Sequence, residues 1–220
     1  MMQMGIRKQK SFSRVFMTKR GGEYMDSFER ISDRSICLYK NILGHGLSIK
    51  SVQEIDMLLL QRSNRVTDDN MRALGKILPT KIPLQVCKKT ESIDGTVTIL
   101  SVEPDVWFLL CSKGKGEALA TILEEKGGAL TIKTAMMSDQ YSCIDVTGIC
   151  APAVLAKGSS LDIRHEVFLD NDCARTLLAR INIVLWRIDD GFRFIFDVSL
   201  ETYIWRWLNE VSAEFCEQLA

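Results

Sequence analysis

Ile183-Val-Leu-Trp-Arg-Ile-Asp-Asp-Gly-Phe-Arg-Phe-Ile-Phe-Asp-Val-Ser199 is the stretch on which the fold turns. Ile183 to Ile188 reads as a buried strand, Asp189-Asp190-Gly191 as a turn, and Phe192 to Val198 as the strand that returns. Ser199 predicts a helix N-cap, with Glu201 in the first turn, where a carboxylate suits the helix dipole. Beyond it Tyr203, Ile204, Trp207, Leu208, Val211 and Phe215 recur at intervals of one, three or four and predict a wide apolar helix face.

The same order stands earlier in the chain. Thr96 to Val102 and Val106 to Cys111 predict two strands joined by Glu103-Pro104-Asp105. A helix follows from about Glu117 to Lys126, with Gly127 and Gly128 closing it. Leu47 to Ile55 alternates apolar with polar, and Met57 to Leu60 reads as a more buried strand. Thr67 predicts the N-cap of a helix carrying Met71, Leu74, Ile77 and Leu78 and stopped by Pro79. Further on come a strand at Cys143 to Val146, a short helix with Val154 and Leu155 ending at Gly158, and a strand at Thr176 to Arg180. Two halves with a shared element order predict a duplicated α+β unit, antiparallel or mixed in its sheets, with helices on one face. The expected division is 1–26 as an N-terminal extension, 27–135 as the first half and 136–220 as the second.

Composition narrows the function. Of 220 residues 46% are hydrophobic, enough for an ordinary core. Lys+Arg and Asp+Glu both number 28, so no general electrostatic attraction to nucleic acid or an anionic membrane arises. No apolar run approaches the roughly 20 residues that span a bilayer. Seven cysteines without a C-x-x-C spacing, and two histidines, do not assemble a zinc motif. They read as small hydrophobes in a reducing cytoplasm. Residues 1 to 22 carry Arg7, Lys8, Lys10, Arg14, Lys19 and Arg20 and no acid. Arg20-Gly-Gly-Glu-Tyr24 before Met25 suits codons of a ribosome-binding site, so Met25 is the expected start and the arm a translated leader or disordered tail.

Candidate chemistry is sparse. Lys113-Gly-Lys-Gly116 before a helix lacks the G-x-x-x-x-G-K-[ST] order of a phosphate loop and reads as a solvated turn. Asp139, Asp145, Asp162 and His165 are acid–base types with no spacing that fixes their geometry. His45, between Gly44 and Gly46, reads as part of a flexible turn. No G-x-G-x-x-G follows a strand, so no dinucleotide fingerprint is present. No residue is assigned to catalysis, cofactor or metal.

Several motifs closely resemble one family. Leu155, Lys157, Gly158, Leu161 and Asp162 are followed by Cys173, Ala174, Thr176, Leu177 and Leu178. Then come Phe192-Arg193-Phe194, Ser199, Tyr203-Ile204-Trp205-Arg206-Trp207-Leu208 and Ala213-Glu214-Phe215. Together they resemble the gamma subunit of bacterial heterotetrameric sarcosine oxidase. The likeness runs over about residues 27 to 220 and is most specific from Ser138. Before that it is looser, through Leu47 to Leu60, Leu74-Gly75, Leu78-Pro79 and Glu103 to Leu110. Ile149 stands where the family usually has Pro, and Ser159 where Cys is common.

The resemblance implies a fold like the folate-binding domain of the glycine-cleavage aminomethyltransferases. It implies a cytoplasmic, non-catalytic subunit partnered by alpha, beta and delta subunits. It also implies that FAD, FMN, NAD, tetrahydrofolate and zinc, the cofactors of sarcosine oxidation to glycine and peroxide, lie in those other chains. Within it Trp205, between Ile204 and Arg206, is expected to project away from the core and to mark the partner interface. Two alternatives stand beside this reading. One is a gamma-like subunit of a related amine oxidase or dehydrogenase. The other is a stand-alone folate-binding one-carbon transferase, with Asp145 or Asp162 as the acidic group for a pterin edge.

Overall fold

The computed structural model describes residues 35–41, 44–63, 66–127 and 132–217, all within one compact unit, Ser32–Ala220. The expectations for the N-terminal arm and for Met25 lie outside the described residues. Among the described residues are eleven strands: β1 (Ser35–Asn41), β2 (Gly44–Ser51), β3 (Ile55–Arg62), β4 (Lys88–Glu91), β5 (Val97–Glu103), β6 (Val106–Ser112), β7 (Ile132–Met136), β8 (Tyr141–Thr147), β9 (Cys173–Leu178), β10 (Ile181–Ile188) and β11 (Gly191–Asp197). Four helices accompany them: α1 (Asp68–Gly75), α2 (Gly116–Gly127), α3 (Ala151–Ala156) and α4 (Glu201–Glu217).

The strands form two antiparallel sheets, ordered β4-β5-β6-β3-β7 and β1-β2-β8-β11-β10-β9. The duplication is visible in these orders. In each sheet a three-strand meander (β4-β5-β6, β9-β10-β11) is flanked by the strand that precedes it in sequence (β3, β8). Each such strand is linked to its meander through a short helix, and each meander is followed by a longer one. The fifth place differs. β7 fills it in one sheet, whereas β2 fills it in the other by pairing Ser48 with Thr147 and Ser51 with Ile144. Residues 35–51, expected in the first half, therefore belong to the second half's sheet.

Strand alternation explains the layering. Even positions of β3 and odd positions of β5 and β6 (Leu58, Leu60, Ile99, Trp107, Leu109) face α1 and α2, meeting Met71, Leu74 and Leu123. Phe192, Phe194 and Phe196 of β11 and Ile183 and Leu185 of β10 face α3 and α4, meeting Val154, Leu155, Ile204 and Leu208. The opposite parities face each other between the sheets, where Met57, Leu100, Val102, Phe108 and Leu110 meet Cys143, Cys173, Val184, Trp186 and Ile195. The layers run helix, sheet, sheet, helix.

Local expectations met the structure unevenly. Thr67 caps α1 through a capping box with Asn70. That helix already ends at Gly75, four residues before Pro79. The cap before α4 is Asp197, not Ser199: its carboxylate accepts from the Ser199 amide and hydroxyl, and Val198–Leu200 is a 3-10 turn. Thr176 to Arg180 is not one strand, because Ala179 and Arg180 take φ of 50° and 68° and turn β9 into β10. His45 lies in β2, opposite Lys40, rather than in a flexible turn. Gly191, the first residue of β11, has the Val146 carbonyl 2.2 Å from where a Cβ would stand, so only glycine fits there.

The correction of most consequence concerns α4. Trp205 is 3% exposed and packs in the core, whereas Tyr203, expected on the core side, is 46% exposed. Trp207 is half-buried against Gly158. The buried face is Ile204, Trp205, Leu208 and Ser212. Around a helix Trp205 stands only about 60° from Leu208, on the side that Ser212 continues. A serine there reads as polar, so the apolar face was centred on the wrong side. Ser212 tolerates burial because its hydroxyl donates to the Asn209 carbonyl (3.1 Å). An interface anchored on Trp205 is thereby withdrawn.

Candidate functional site

The Gly-containing turn before α2 does bind an anion, and the anion is the protein's own. Gly114 and Gly116 N–H groups both donate to Oδ2 of Asp56, at 2.8 and 2.9 Å. A Cβ on Gly116 would stand 2.9 Å from that of Asp56, so glycine lets β3 approach the helix start. Asp56 does here what a phosphate does in a phosphate loop, satisfying free amides at a helix N-terminus. Sequence reasoning did not single out Asp56. Its signal lies in β3 pairing with β6, which brings position 56 opposite Cys111 and next to the turn.

The expected acid–base types are not brought together. Asp145, on β8, faces the inter-sheet layer and accepts a bidentate pair from Arg193 of β11, at 2.6 and 2.9 Å. The two residues are cross-strand partners in the β8–β11 register, which is why they meet. Donation to the Asp145 carboxylate holds the Arg193 guanidinium above its ordinary pKa against the opposing effect of burial. Asp162 lies in the loop after α3, where Arg164 grips it through its side chain and amide and depresses its pKa to about 2. His165 is exposed, 3.5 Å from Asp170. Asp139 stands in the β7–β8 turn. No described group of three or more His, Cys, Asp or Glu residues could hold a metal ion. Burial pushes the Cys111 thiol up to about 11 and Cys173 to about 12, and raises Cys143 further. These are packed thiols, not nucleophiles poised at neutral pH.

Two cavities open between the sheets. One, of about 550 Å³, has a floor of Phe108, Tyr141, Val184 and Ile195, with Gln61 and Asn182 at its rim. Phe108 and Tyr141 stack edge to face at 5.2 Å, and burial raises the Tyr141 phenol pKa. Glu103 and Arg175 form an ion pair across its mouth. The hydroxyl nearest to a nucleophile's requirements, Ser199, donates to Asp197 at 2.6 Å as part of the helix cap. No imidazole lines this space to activate it. The lining is mixed, setting Glu103, Arg175, Asn182 and Asp197 beside Leu59, Val106, Phe108 and Ile195. The second cavity, about 830 Å³, lies where the β4–β5 and β10–β11 turns meet the loop 164–172.

No helix among the described residues is long and apolar enough to cross a membrane.

Comparison with known proteins gives a consistent picture. The pattern of the sarcosine oxidase, gamma subunit family matches residues 67–214. Sarcosine oxidase subunit gamma of Corynebacterium sp. (strain P-1) is 28% identical over 150 residues, covering 66% of this chain and 71% of that protein. The Arthrobacter sp. subunit gamma is 28% identical over 147 residues, covering 65% and 70%. Among solved structures, a chain of the heterotetrameric sarcosine oxidase from Corynebacterium sp. U-96, in complex with pyrrole 2-carboxylate, superposes with a TM-score of 0.70 at 23% identity, over 77% of this chain and 85% of that one. The glycine cleavage system aminomethyltransferase T from Bartonella henselae superposes with a TM-score of 0.53 at 13% identity, over 72% of this chain and 44% of that one. These two likenesses concern the fold.

Proposed function

Because the chain belongs to the sarcosine oxidase gamma subunit family, we propose that it is a non-catalytic subunit of a heterotetrameric sarcosine oxidase, partnered by alpha, beta and delta chains. In this reading the complex oxidises sarcosine to glycine and hydrogen peroxide and passes the one-carbon unit to tetrahydrofolate. The flavins, NAD, folate and zinc are held by the other chains. The gamma chain contributes a rigid, doubly layered body in the cytoplasm. The observation that carries the reading is the family pattern, which matches residues 67–214, from the cap of α1 to near the end of α4.

The polar chemistry of the chain supports a structural role. Each acid considered for a pterin edge is engaged by an arginine of this same chain, Asp145 by Arg193 and Asp162 by Arg164. The amides before α2 are engaged by Asp56. A stand-alone folate site would have to break one of these pairings. Leaving Arg193 part-buried without its carboxylate would be costly.

The test is co-expression with the alpha, beta and delta chains of the same genome. The chain should co-elute with them at a fixed stoichiometry, and the complex should release peroxide from sarcosine. The chain purified alone should show no flavin absorbance and no oxidase activity. A yellow lone chain that oxidises sarcosine, or a complex that forms and turns over fully without it, would overturn the proposal.

A further inference from the structure

The two most exposed large apolar side chains among the described residues, Ile93 and Ile149, lie at one end of the molecule with Val167 and Leu169. Four large apolar side chains project into water there, and each is held in place by tightly hydrogen-bonded backbone. Ile93 is fully exposed at the β4–β5 turn. That turn is built around Asp94, whose carboxylate accepts from the Ser92 and Thr96 hydroxyls and the Thr96 amide, with Gly95 at φ +67°. Ile149 is 80% exposed between Gly148, whose amide donates to the Asp190 carbonyl, and Cys150, whose amide donates to the Gly46 carbonyl. Val167 and Leu169 point outward on either side of buried Phe168. Their loop is pinned by Arg187, which donates to the Ile163 and Phe168 carbonyls, and by Asp172, which accepts from the Leu169 amide and pairs with Lys88.

These side chains lie near the 830 Å³ cavity, since Gly95, Thr147 and Asp170, each within two residues of one of them, line it, as does Asp190, whose carbonyl holds the Gly148 amide beside Ile149. Inside, every cation is already held. Arg193 has Asp145, Arg187 has the two carbonyls, and Lys89 has Glu91 and the Arg187 carbonyl. The carboxylates of Asp189 and Asp190 have no ion-pair or hydrogen-bond partner among the described residues, and both line the cavity. The surface thus combines exposed apolar side chains with two carboxylates that no described residue pairs, beside the carbonyl-held guanidinium of Arg187.

We infer that this end is a docking surface for a partner subunit of the oxidase. The segment it fits presents a lysine or arginine to Asp189 and Asp190, flanked by apolar side chains that seat on Ile93, Ile149, Val167 and Leu169. The inference rests on the subunit reading above. Apolar side chains carried on hydrogen-bonded backbone leave little backbone freedom to be lost on binding, which favours them as anchors. Unpaired carboxylates among them select a cationic partner and steer its approach.

The experiment uses the co-expressed complex. Wild type must first co-purify; its failure to do so would remove the subunit reading itself and this inference with it. Given a wild-type complex, the double variant I93D/I149D should bind the remaining subunits at least about tenfold more weakly. Its thermal unfolding as a lone chain should stay that of the wild type, because both side chains are exposed. D189K/D190K should slow association about tenfold or more at low salt and flatten its dependence on salt. I122D, on the exposed side of α2, should leave both unchanged. Wild-type affinity in both double variants would overturn the inference, and so would equal loss in I122D. It would also fail if the variants abolished only self-association of the lone chain, since the occupant would then be a second copy.

Discussion

The two repeats of this chain reach the same topology with different interiors. In the first, the sheet face under the helices is largely aliphatic, with one buried tryptophan, Trp107, whose indole N–H donates to the Pro83 carbonyl at 2.6 Å. In the second, three phenylalanines, Phe192, Phe194 and Phe196, join the aliphatic side chains of that face and pack in one cluster with Trp205, whose indole N–H is buried without a partner among the described residues. The connections differ as well. β4 passes to β5 through a glycine-containing turn, whereas β9 passes to β10 through Ala179-Arg180, both at positive φ. One repeat gives its buried indole an acceptor. The other accepts an unpaired donor and adds large rings to its core, while both repeats hold two non-glycine residues at positive φ, Cys87 and Asp105 in the first and Ala179 and Arg180 in the second.

The largest way to break this comparison is Trp205→Ala. If the second repeat depends on its rings, truncation should cost about 3–5 kcal/mol in the lone chain, measured by denaturant unfolding. A loss below about 1 kcal/mol would return Trp205 to the surface and reverse the contrast.

A sharper test keeps the ring and removes the N–H. Trp107→Phe leaves the buried Pro83 carbonyl without its donor, whereas Trp205→Phe removes a donor that has no acceptor. Both variants lose some packing volume, so the difference between them isolates the hydrogen bond. Trp107→Phe should be more destabilising by about 1–2 kcal/mol. Equal losses would mean that the indole of Trp205 is satisfied after all.

The turn between β9 and β10 gives the next smaller effect, with the opposite sign. Two residues at φ of 50° and 68° make the hairpin geometry that favours Asn-Gly. Arg180 is exposed, so Arg180→Gly relieves its backbone without disturbing the core. The lone chain should gain about 1 kcal/mol, read as a higher denaturant midpoint at unchanged slope. Ala179 is not a free choice in the same way. Its carbonyl accepts from the Tyr203 hydroxyl and its amide donates to the Gly158 carbonyl, tying the hairpin to α4 and to the end of α3.

That hairpin also shows what could be read from the sequence and what could not. Ile183 to Ile188, Phe192 to Val198 and their first-repeat counterparts were legible because long apolar runs bounded by Asp, Gly or Pro mean little else. The doubled α+β plan followed from their order. Ala179-Arg180 carries no turn chemistry, so the tertiary ties that impose the turn are invisible in the text. β4 and β7, each five residues or fewer with at most one buried side chain, have no pattern to detect and exist because an edge was open to them. The swap of β2 into the second sheet is likewise a matter of long-range pairing. At the candidate site, residue types were visible but partners were not. Asp145 with Arg193 is a register relation 48 positions apart, and Asp56 meets the α2 turn across 58 and 60 positions. Trp205 was misplaced for a local reason, the buried Ser212 beside it on the helix.

The smallest expected effect compares one turn carboxylate from each repeat. Asp94, between β4 and β5, is held at a pKa of about 2 by the Ser92 hydroxyl first, then by the Thr96 hydroxyl and amide. Asp162, after α3, is held at about 2 by the Arg164 side chain first, then by its amide. Both values lie below the ordinary 3.8, so each carboxylate contributes stability that is fully present above about pH 4. That contribution is lost as pH falls toward 2, and is gone where both folded and unfolded chains are protonated. Asp94→Asn and Asp162→Asn should each flatten the dependence of unfolding free energy on pH between about 4 and 2. Salt separates them. The donors to Asp94 are neutral, whereas Asp162 faces a guanidinium in solvent, and salt screens exposed charges. Raising ionic strength to about 1 M should shrink the Asp162 effect and leave that of Asp94 in place. If salt weakened both alike, charge rather than hydroxyl and amide hydrogen bonding would be holding the β4–β5 turn. The turn that presents Ile93 would then be less rigid than its geometry indicates.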